Sequence, residues 1–451
     1  MAVRGCPFVL PASADATGLP LASRPARDIA PWSAGAHRRL NHSHRFQFAP
    51  TSLTSRQVAD VIWASQFPAR CDRYLLVEDD LLLAGLGFTA KLWGAALLFA
   101  VREQRVLLEI PSGECGRRNP DCVAWQLFSN HTVMPRWCDQ PPNTLQCFYQ
   151  AWTHCPAPPI TKPSSKHVAV FVGGQVVSSP SLPQKYRTPP VLMMSLRRLH
   201  IQHNIWGNSR HMINAIGFLF RARPWIVSIG ECIMRRAALV PGRFTSVHVR
   251  YSAEKRAEAA KLGWRMPSID GSERVAHMLA RAQPGAIFLQ TASDEAVDAF
   301  ERFAHRNHLR LAYTNNTRSD HDSWGGWGAV TTPQTIVAAV NAYVASRAAL
   351  QASPAGSMWT SFLMSVMAAH NRRPALEDPS DESFLNFTVT ELRCAERKGR
   401  SYFRQSIMGS WEQLAKFNGG HNGSFSAWPW PRLDRTGSGL RHAHDACVMM
   451  Q

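Results

Sequence analysis

The chain has 451 residues, and its 50 Lys and Arg against 32 Asp and Glu give a formal charge of +18 before the 18 histidines are counted. With 45% hydrophobic and only 18% charged residues it is too apolar for a disordered polycation, and its length suits about two or three domains. The positive excess is therefore expected on a folded surface, where it admits nucleic acid, anionic membrane or a phosphorylated small molecule; charge alone does not choose.

In chain order, residues 1–54 are rich in Pro, Ala, Arg and His and read as a poorly ordered lead-in, without the apolar core of a signal peptide. Patterning begins near Ser55, where Val58, Val61, Ile62 and Trp63 recur at helical spacing. Tyr74 to Val77 reads as a buried strand, Gly85-Leu-Gly87 as a turn, Ala90 to Val101 as a helix and Val106 to Ile110 as the next strand. The apolar run Leu81 to Val101 contains Lys91 and ends on Arg102-Glu103, so it is expected as a buried helix rather than a membrane span.

Five of the 10 cysteines, Cys115, Cys122, Cys138, Cys147 and Cys155, fall in the Pro- and Trp-punctuated piece from Pro111 to Pro159. No spacing is Cys-x-x-Cys, so disulfides are expected rather than a zinc ribbon, and with them an oxidising compartment. The sequons at Asn41, Asn130, Asn315, Asn386 and Asn422 point the same way. With no signal or anchor visible, either the gene model is truncated or the chain is held to a membrane by something outside it.

Val168 to Val172 resembles a strand, His211 to Phe220 a helix, and Ile226 to Leu239 a second helix ending at Pro241-Gly242, a strong punctuation. The second half repeats the rhythm. Strands are expected at Ser246–Arg250, Ala286–Leu289, Arg310–Tyr313 and Leu350–Ser353, with helices at Glu254–Leu262, Gly271–Ala282, Asp294–His305, Pro333–Ser346 and Met358–Ala369. Residues 372–451 show little periodicity and read as an irregular tail.

Strands alternating with helices predict an α/β fold of two Rossmann-like domains facing a cleft, with irregular N- and C-terminal extensions. The divisions are 1–54, a lead-in; 55–240, an N-terminal Rossmann-like domain with the Cys-rich insertion; 241–371, a C-terminal Rossmann-like domain; and 372–451, the tail.

Three strand ends carry candidate chemistry. His248-Val-Arg250 closes one strand, where a guanidinium presents a planar fork suited to a diphosphate and Lys255 adds a point charge; core packing of His248 and a carboxylate partner for Arg250 is the plainer reading. Gln290-Thr-Ala-Ser-Asp294 follows a second strand, where Thr291, Ser293 and Asp294 can bond a base or ribose, or cap the next helix. Ser353-Pro-Ala-Gly-Ser357 follows a third and opens a helix, whose free N–H groups favour an anion. Together they outline a nucleotide-diphosphate pocket at the carboxyl ends of parallel strands.

These residues occur in the order of a known set. The chain resembles the fucosyltransferases of the α1,6- and protein O-fucosyltransferase type, with the two-domain GT-B arrangement, which implies that 55–240 is the acceptor side and 241–371 the nucleotide-sugar-binding domain. Gly85-Leu-Gly87, the helix behind it and Arg105 to Glu109 look like that family's Gly-rich loop, helix and strand. Arg221-Ala-Arg-Pro224 is similar to its Arg-Pro-x-Pro turn, and His248-Val-Arg250 to its His-x-Arg element. The resemblance implies donor contacts from His248, Arg250, Lys255, Thr291, Ser293, Asp294, Asn341, Ser353, Gly356 and Ser357. It also implies a catalytic role for Arg250, with Glu254 or Glu258 as base; surface ion pairs on an exposed helix are the competing reading of the glutamates. Tyr251 stands where the α1,6 enzymes carry a second arginine, and Ala292 and Ser293 where they carry paired acids.

The implied activity is inverting, metal-independent transfer of fucose from GDP-fucose to a glycan or glycoprotein in the Golgi lumen. GDP-fucose is the donor substrate, and neither cofactor nor metal is expected: Asp320-His-Asp322 and Glu78-Asp-Asp80 read as solvated acidic clusters. A glycosyltransferase-like protein that binds a glycan or nucleotide without turnover is the alternative. Nucleic acid is not an expected partner, because no RRM, KH, zinc-finger or helix-turn-helix signature accompanies the charge.

Overall fold

The computed structural model describes residues 2–3, 55–78, 86–109, 148–156, 158, 168–170, 189–195, 209–251, 256–257, 269, 272–273, 276–277, 279, 285–314, 332–354, 357–370, 388–395 and 402–409. Its strands are β1 (Ala2–Val3), β2 (Tyr74–Glu78), β3 (Val106–Glu109), β4 (Val168–Val170), β5 (Val191–Ser195), β6 (Thr245–Val249), β7 (Ala286–Thr291), β8 (Arg310–Thr314), β9 (Leu350–Pro354), β10 (Thr388–Ala395) and β11 (Tyr402–Gly409). Its helices are α1 (Ser55–Gln66), α2 (Leu86–Arg102), α3 (Ser209–Leu219), α4 (Pro224–Arg236), α5 (Asp294–Arg306), α6 (Thr332–Ser346) and α7 (Met358–His370).

The strands form two sheets. One has the order β3-β2-β5-β4, all parallel. The other has the order β1-β8-β7-β6-β9-β11-β10, parallel from β1 to β9 and closed by an antiparallel hairpin. The α/β class and the parallel sheets follow the alternation of the sequence. The hairpin corrects the irregular tail expected over 372–451: Ser406 pairs with Ser353 and Thr388 with Gly409, so part of that segment belongs to the larger sheet. Val389, Tyr402, Phe403 and Ile407 are strand-forming types, but they do not alternate strictly, and tertiary pairing makes the strands that period-2 patterning left out. Ala2 and Val3 likewise pair with Tyr313 and Thr314, within the expected lead-in.

Burial explains the helices. In α2 the residues Leu86, Ala90, Trp93, Leu97 and Ala100 are all buried, and this run favours a core helix over a membrane span. Among the described residues, no helix is long and apolar enough to cross a membrane. α2 packs on α3 and α7, and α4, which precedes the expected boundary at 240/241, packs on α6. That last approach is close: a Cβ at Gly230 would stand 2.3 Å from the Tyr343 ring, whose hydroxyl donates to Glu231 at 2.6 Å. α7 follows β9 yet also packs on α2, so apolar residues flanking both sheets join in one core cluster.

Among the described residues, three helices end through a left-handed residue other than glycine. Gln104, Ala238 and His308 have φ of 53°, 51° and 53°, and the following amides return to the helix at Ala100, Met234 and Ala304. These are C-terminal caps that carry no glycine signal in the sequence.

Part of the positive charge lies inside rather than on the surface. Arg105 is 1% exposed, and its guanidinium donates to the carbonyls of Tyr74 (3.2 Å), Pro190 (3.0 Å) and Pro189 (2.9 Å). It thus joins the start of β3 to those of β2 and β5. Arg221 donates to the carbonyls of Phe218 (2.7 Å) and Ala151 (3.1 Å) and lies over the Phe218 ring, while Arg223 donates to the Tyr149 carbonyl (3.0 Å). With the bridge between Tyr149 and Ala222, the Arg-Ala-Arg-Pro turn is a staple for residues 148–151. Burial pushes the Arg221 guanidinium down to about 9.

Cys155 is joined to Cys71, which precedes β2 and lies outside the cysteine-dense piece. Cys232 is also disulfide-bonded. Cys115, Cys122, Cys138 and Cys147 fall outside the described residues.

Candidate functional site

The larger sheet has a topological switch. From β6 the chain proceeds to β7 and β8 on one side, then crosses to β9 on the other side of β6. In open parallel sheets ligands bind outside the carboxyl ends of the two strands flanking such a reversal, here β6 and β9. His248 and Arg250 stand at that end of β6, Thr291 in register beside Val249 on β7, and Ser357 between β9 and α7. The three strand ends picked out from the sequence are therefore neighbours.

Their individual roles differ. Arg250 is half-buried just past β6. His248 is half-buried; its Nδ1 is enclosed and has no hydrogen-bond partner. Burial, and secondarily the Arg250 charge, pull its imidazole down to about 3, so it is neutral at physiological pH. Ser293 is the N-cap of α5, its hydroxyl accepting from the Ala296 amide at 3.2 Å, and the Thr291 hydroxyl accepts from the Ser293 amide at 3.2 Å. Asp294 opens α5 and is exposed. The capping reading thus accounts for Ser293 and orders the loop after β7.

Ser353 is wholly buried within β9 and accepts from the Gln351 side chain at 2.7 Å, so it supports the strand rather than lining its end. Ser357 precedes α7 and is buried, with its amide donating to the Pro354 carbonyl at 3.2 Å. Asn341 lies on α6, with an enclosed Oδ1 that has no hydrogen-bond partner. Gly87 is corrected: it sits buried in the first turn of α2, because the apolar face of that helix continues back to Leu86 and draws the helix over the expected turn. Gly85, Glu254, Lys255, Glu258 and Gly356 lie outside the described residues, as do Asp79, Asp80 and Asp320-His-Asp322.

The structure adds a polar network beneath the strand ends. Val247, Val249, Ile287 and Leu289 face one way and pack with Val297 and Phe300 of α5. The alternate positions Ser246, His248, Gln290, Gln351 and Ser353 face the other way, yet all except His248 are almost wholly buried. The Gln290 amide donates to the Ser246 hydroxyl at 2.7 Å and its carbonyl accepts from the Trp359 indole N–H at 3.3 Å. Trp359, in the first turn of α7, is half-buried, edge-on to His248 at 6.4 Å between ring centroids and tilted against Phe362 at 5.2 Å. The core packing expected for His248 fits this enclosed face, while its polar partners Ser246, Gln290 and Gln351 were not picked out as a network; for Trp359 the sequence carried no signal.

Among the described residues, Cys71, His154 and Cys155 bring ligand atoms within 4.8 Å of one another. Both sulfurs are engaged in the disulfide, so neither offers a thiolate to a metal in this state.

No family model matches the chain, and no curated protein matches it. Among solved structures, the chain is similar to the NodZ alpha-1,6-fucosyltransferase soaked with GDP-fucose, at 14% identity and a TM-score of 0.35, over 66% of this chain and 93% of that one. It is also similar to the fucosyltransferase NodZ from Bradyrhizobium, at 13% identity and a TM-score of 0.33, over 65% and 92%. A variant of Arabidopsis thaliana FUT1 in complex with GDP is similar at 10% identity and a TM-score of 0.34, over 68% and 71%. At these TM-scores, strand order and register remain the basis for the architecture.

Proposed function

We propose that this chain is a glycosyltransferase that holds a nucleotide-sugar donor at the β6–β9 switch and transfers its sugar, fucose from GDP-fucose, to a glycan or glycoprotein hydroxyl. The observation that carries the reading is the reversal of strand order at β6, with His248-Val-Arg250 at its carboxyl end. The resemblance of that element to the His-x-Arg of fucosyltransferases supplies the donor.

In this mechanism the acceptor oxygen attacks the anomeric carbon from the face opposite the diphosphate. The bond from that carbon to the phosphate oxygen breaks, GDP leaves and the configuration inverts. Arg250, assisted by Lys255, neutralises charge growing on the leaving diphosphate, and no metal takes that part. Glu254 or Glu258 accepts the proton from the acceptor hydroxyl. His248 stays neutral and leaves the cationic role to Arg250. Disulfides at Cys71–Cys155 and at Cys232 favour an oxidising compartment, and the lumen of the Golgi is the proposed location.

Turnover of GDP-fucose, followed as GDP release with and without glycan acceptors, tests the proposal. Arg250→Ala is expected to lower kcat/KM by roughly 100-fold or more, as for loss of one charge-stabilising donor. Unchanged turnover removes the arginine from the mechanism. Activity abolished by EDTA and restored by Mn²⁺ overturns the metal-free step, and binding of GDP-fucose without GDP release makes the chain a non-catalytic binder.

A further inference from the structure

Trp359 has no place in the mechanism above, and it is half-buried at the start of α7 rather than wholly enclosed. Its indole N–H, its sole polar group, is taken by Gln290, which is itself 3% exposed and tied to the buried Ser246. That chain runs from the first turn of α7, after β9, to β7 and back to β6, and so spans the reversal of strand order. The side chain is thereby fixed beside His248 while remaining half-buried. With the N–H taken by Gln290, the part of the indole that stays accessible is apolar ring rather than a hydrogen-bond donor.

We propose that Trp359 is the platform on which the donor's purine base stacks, with Gln290 as the positioning residue that sets the angle of the indole. This inference rests on the nucleotide-sugar reading of the same site. The base is assigned in preference to the sugar by depth. Trp359 lies against His248, two residues before Arg250 on β6, and so inward from the group assigned to the diphosphate. The sugar has to meet an acceptor arriving from outside, which leaves the inner position to the base. Stacking of a base on an aromatic ring depends on overlap and orientation, which a hydrogen-bonded indole provides without further ordering.

The test uses the full chain labelled with 5-fluorotryptophan, with guanosine, GDP and GDP-fucose as probes in fluorine NMR and calorimetry. The resonance missing from Trp359→Phe belongs to Trp359, and it is expected to shift with all three probes. Trp359→Ala is expected to bind each of the three on the order of tenfold more weakly, and Gln290→Leu to weaken them alike by a smaller factor. Should the alanine variant fold poorly, the fluorine signal in the otherwise native chain decides. GDP binding with an unmoved Trp359 resonance overturns the stacking role and leaves the donor reading intact. A loss confined to GDP-fucose moves Trp359 under the sugar and overturns the base assignment. No binding of any probe by the native chain overturns the donor reading, and the platform with it.

Discussion

Acidification should unfold this protein partly through His248. The ordinary imidazole pKa is 6.5, and burial beside Arg250 lowers it to about 3 in the folded chain. Between those values the unfolded chain binds a proton that the folded chain refuses, so the unfolded state holds more protons and stability falls as pH falls. The cost is absent above pH 6.5, grows by about 1.4 kcal/mol per pH unit through the window and levels off below about pH 3. At pH 5 it amounts to roughly 2 kcal/mol.

Replacing the imidazole by an apolar group of similar size, His248→Leu, removes that term and spares an enclosed nitrogen that makes no hydrogen bond. Urea unfolding of the native chain and the variant at pH 7 and pH 5 gives a double difference. The variant is expected to lose about 2 kcal/mol less than the native chain on acidification. His370, lowered to about 4 by burial and Arg347, adds a similar loss in both proteins and cancels. Equal acid sensitivity in the two proteins would refute the claim that His248 is held neutral.

Arg105→Met should lower stability by about 3 kcal/mol, since three carbonyl contacts to a charged donor are lost against recovery of its desolvation. Arg105→Lys should recover less than half, because an ammonium cannot span the separated carbonyls as a guanidinium does, and an unchanged denaturation midpoint in the Met variant would contradict this account. Replacing Cys71 and Cys155 together by serine opens a link between positions 84 residues apart and should cost about 4–5 kcal/mol by loop entropy, read as a lower unfolding midpoint that reductant shifts less than it shifts that of the native chain.

The sequence by itself determined the elements wherever an apolar pattern had one period and the turn chemistry agreed. Val58, Val61 and Ile62 marked α1, Val247 and Val249 marked β6, and Ser293 with Asp294 marked the start of α5, because caps and periodicity are local properties. It also picked three strand ends that the sheet brings together, since each is followed by polar residues before a helix. It did not reveal that β10 and β11 extend the larger sheet, nor that Gly87 is helical, because both depend on partners distant in the chain.

Tertiary structure decided which polar residues are interior. Ser246, Gln290, Gln351 and Ser353 alternate with apolar neighbours as solvent-facing residues would, and Arg105 counts in the sequence as surface charge. Helix α7 over the sheet, and for Arg105 the carbonyls of Tyr74, Pro189 and Pro190, enclose them instead. The period of a strand records that its two faces differ; only the element packed on each face determines whether the polar one meets water.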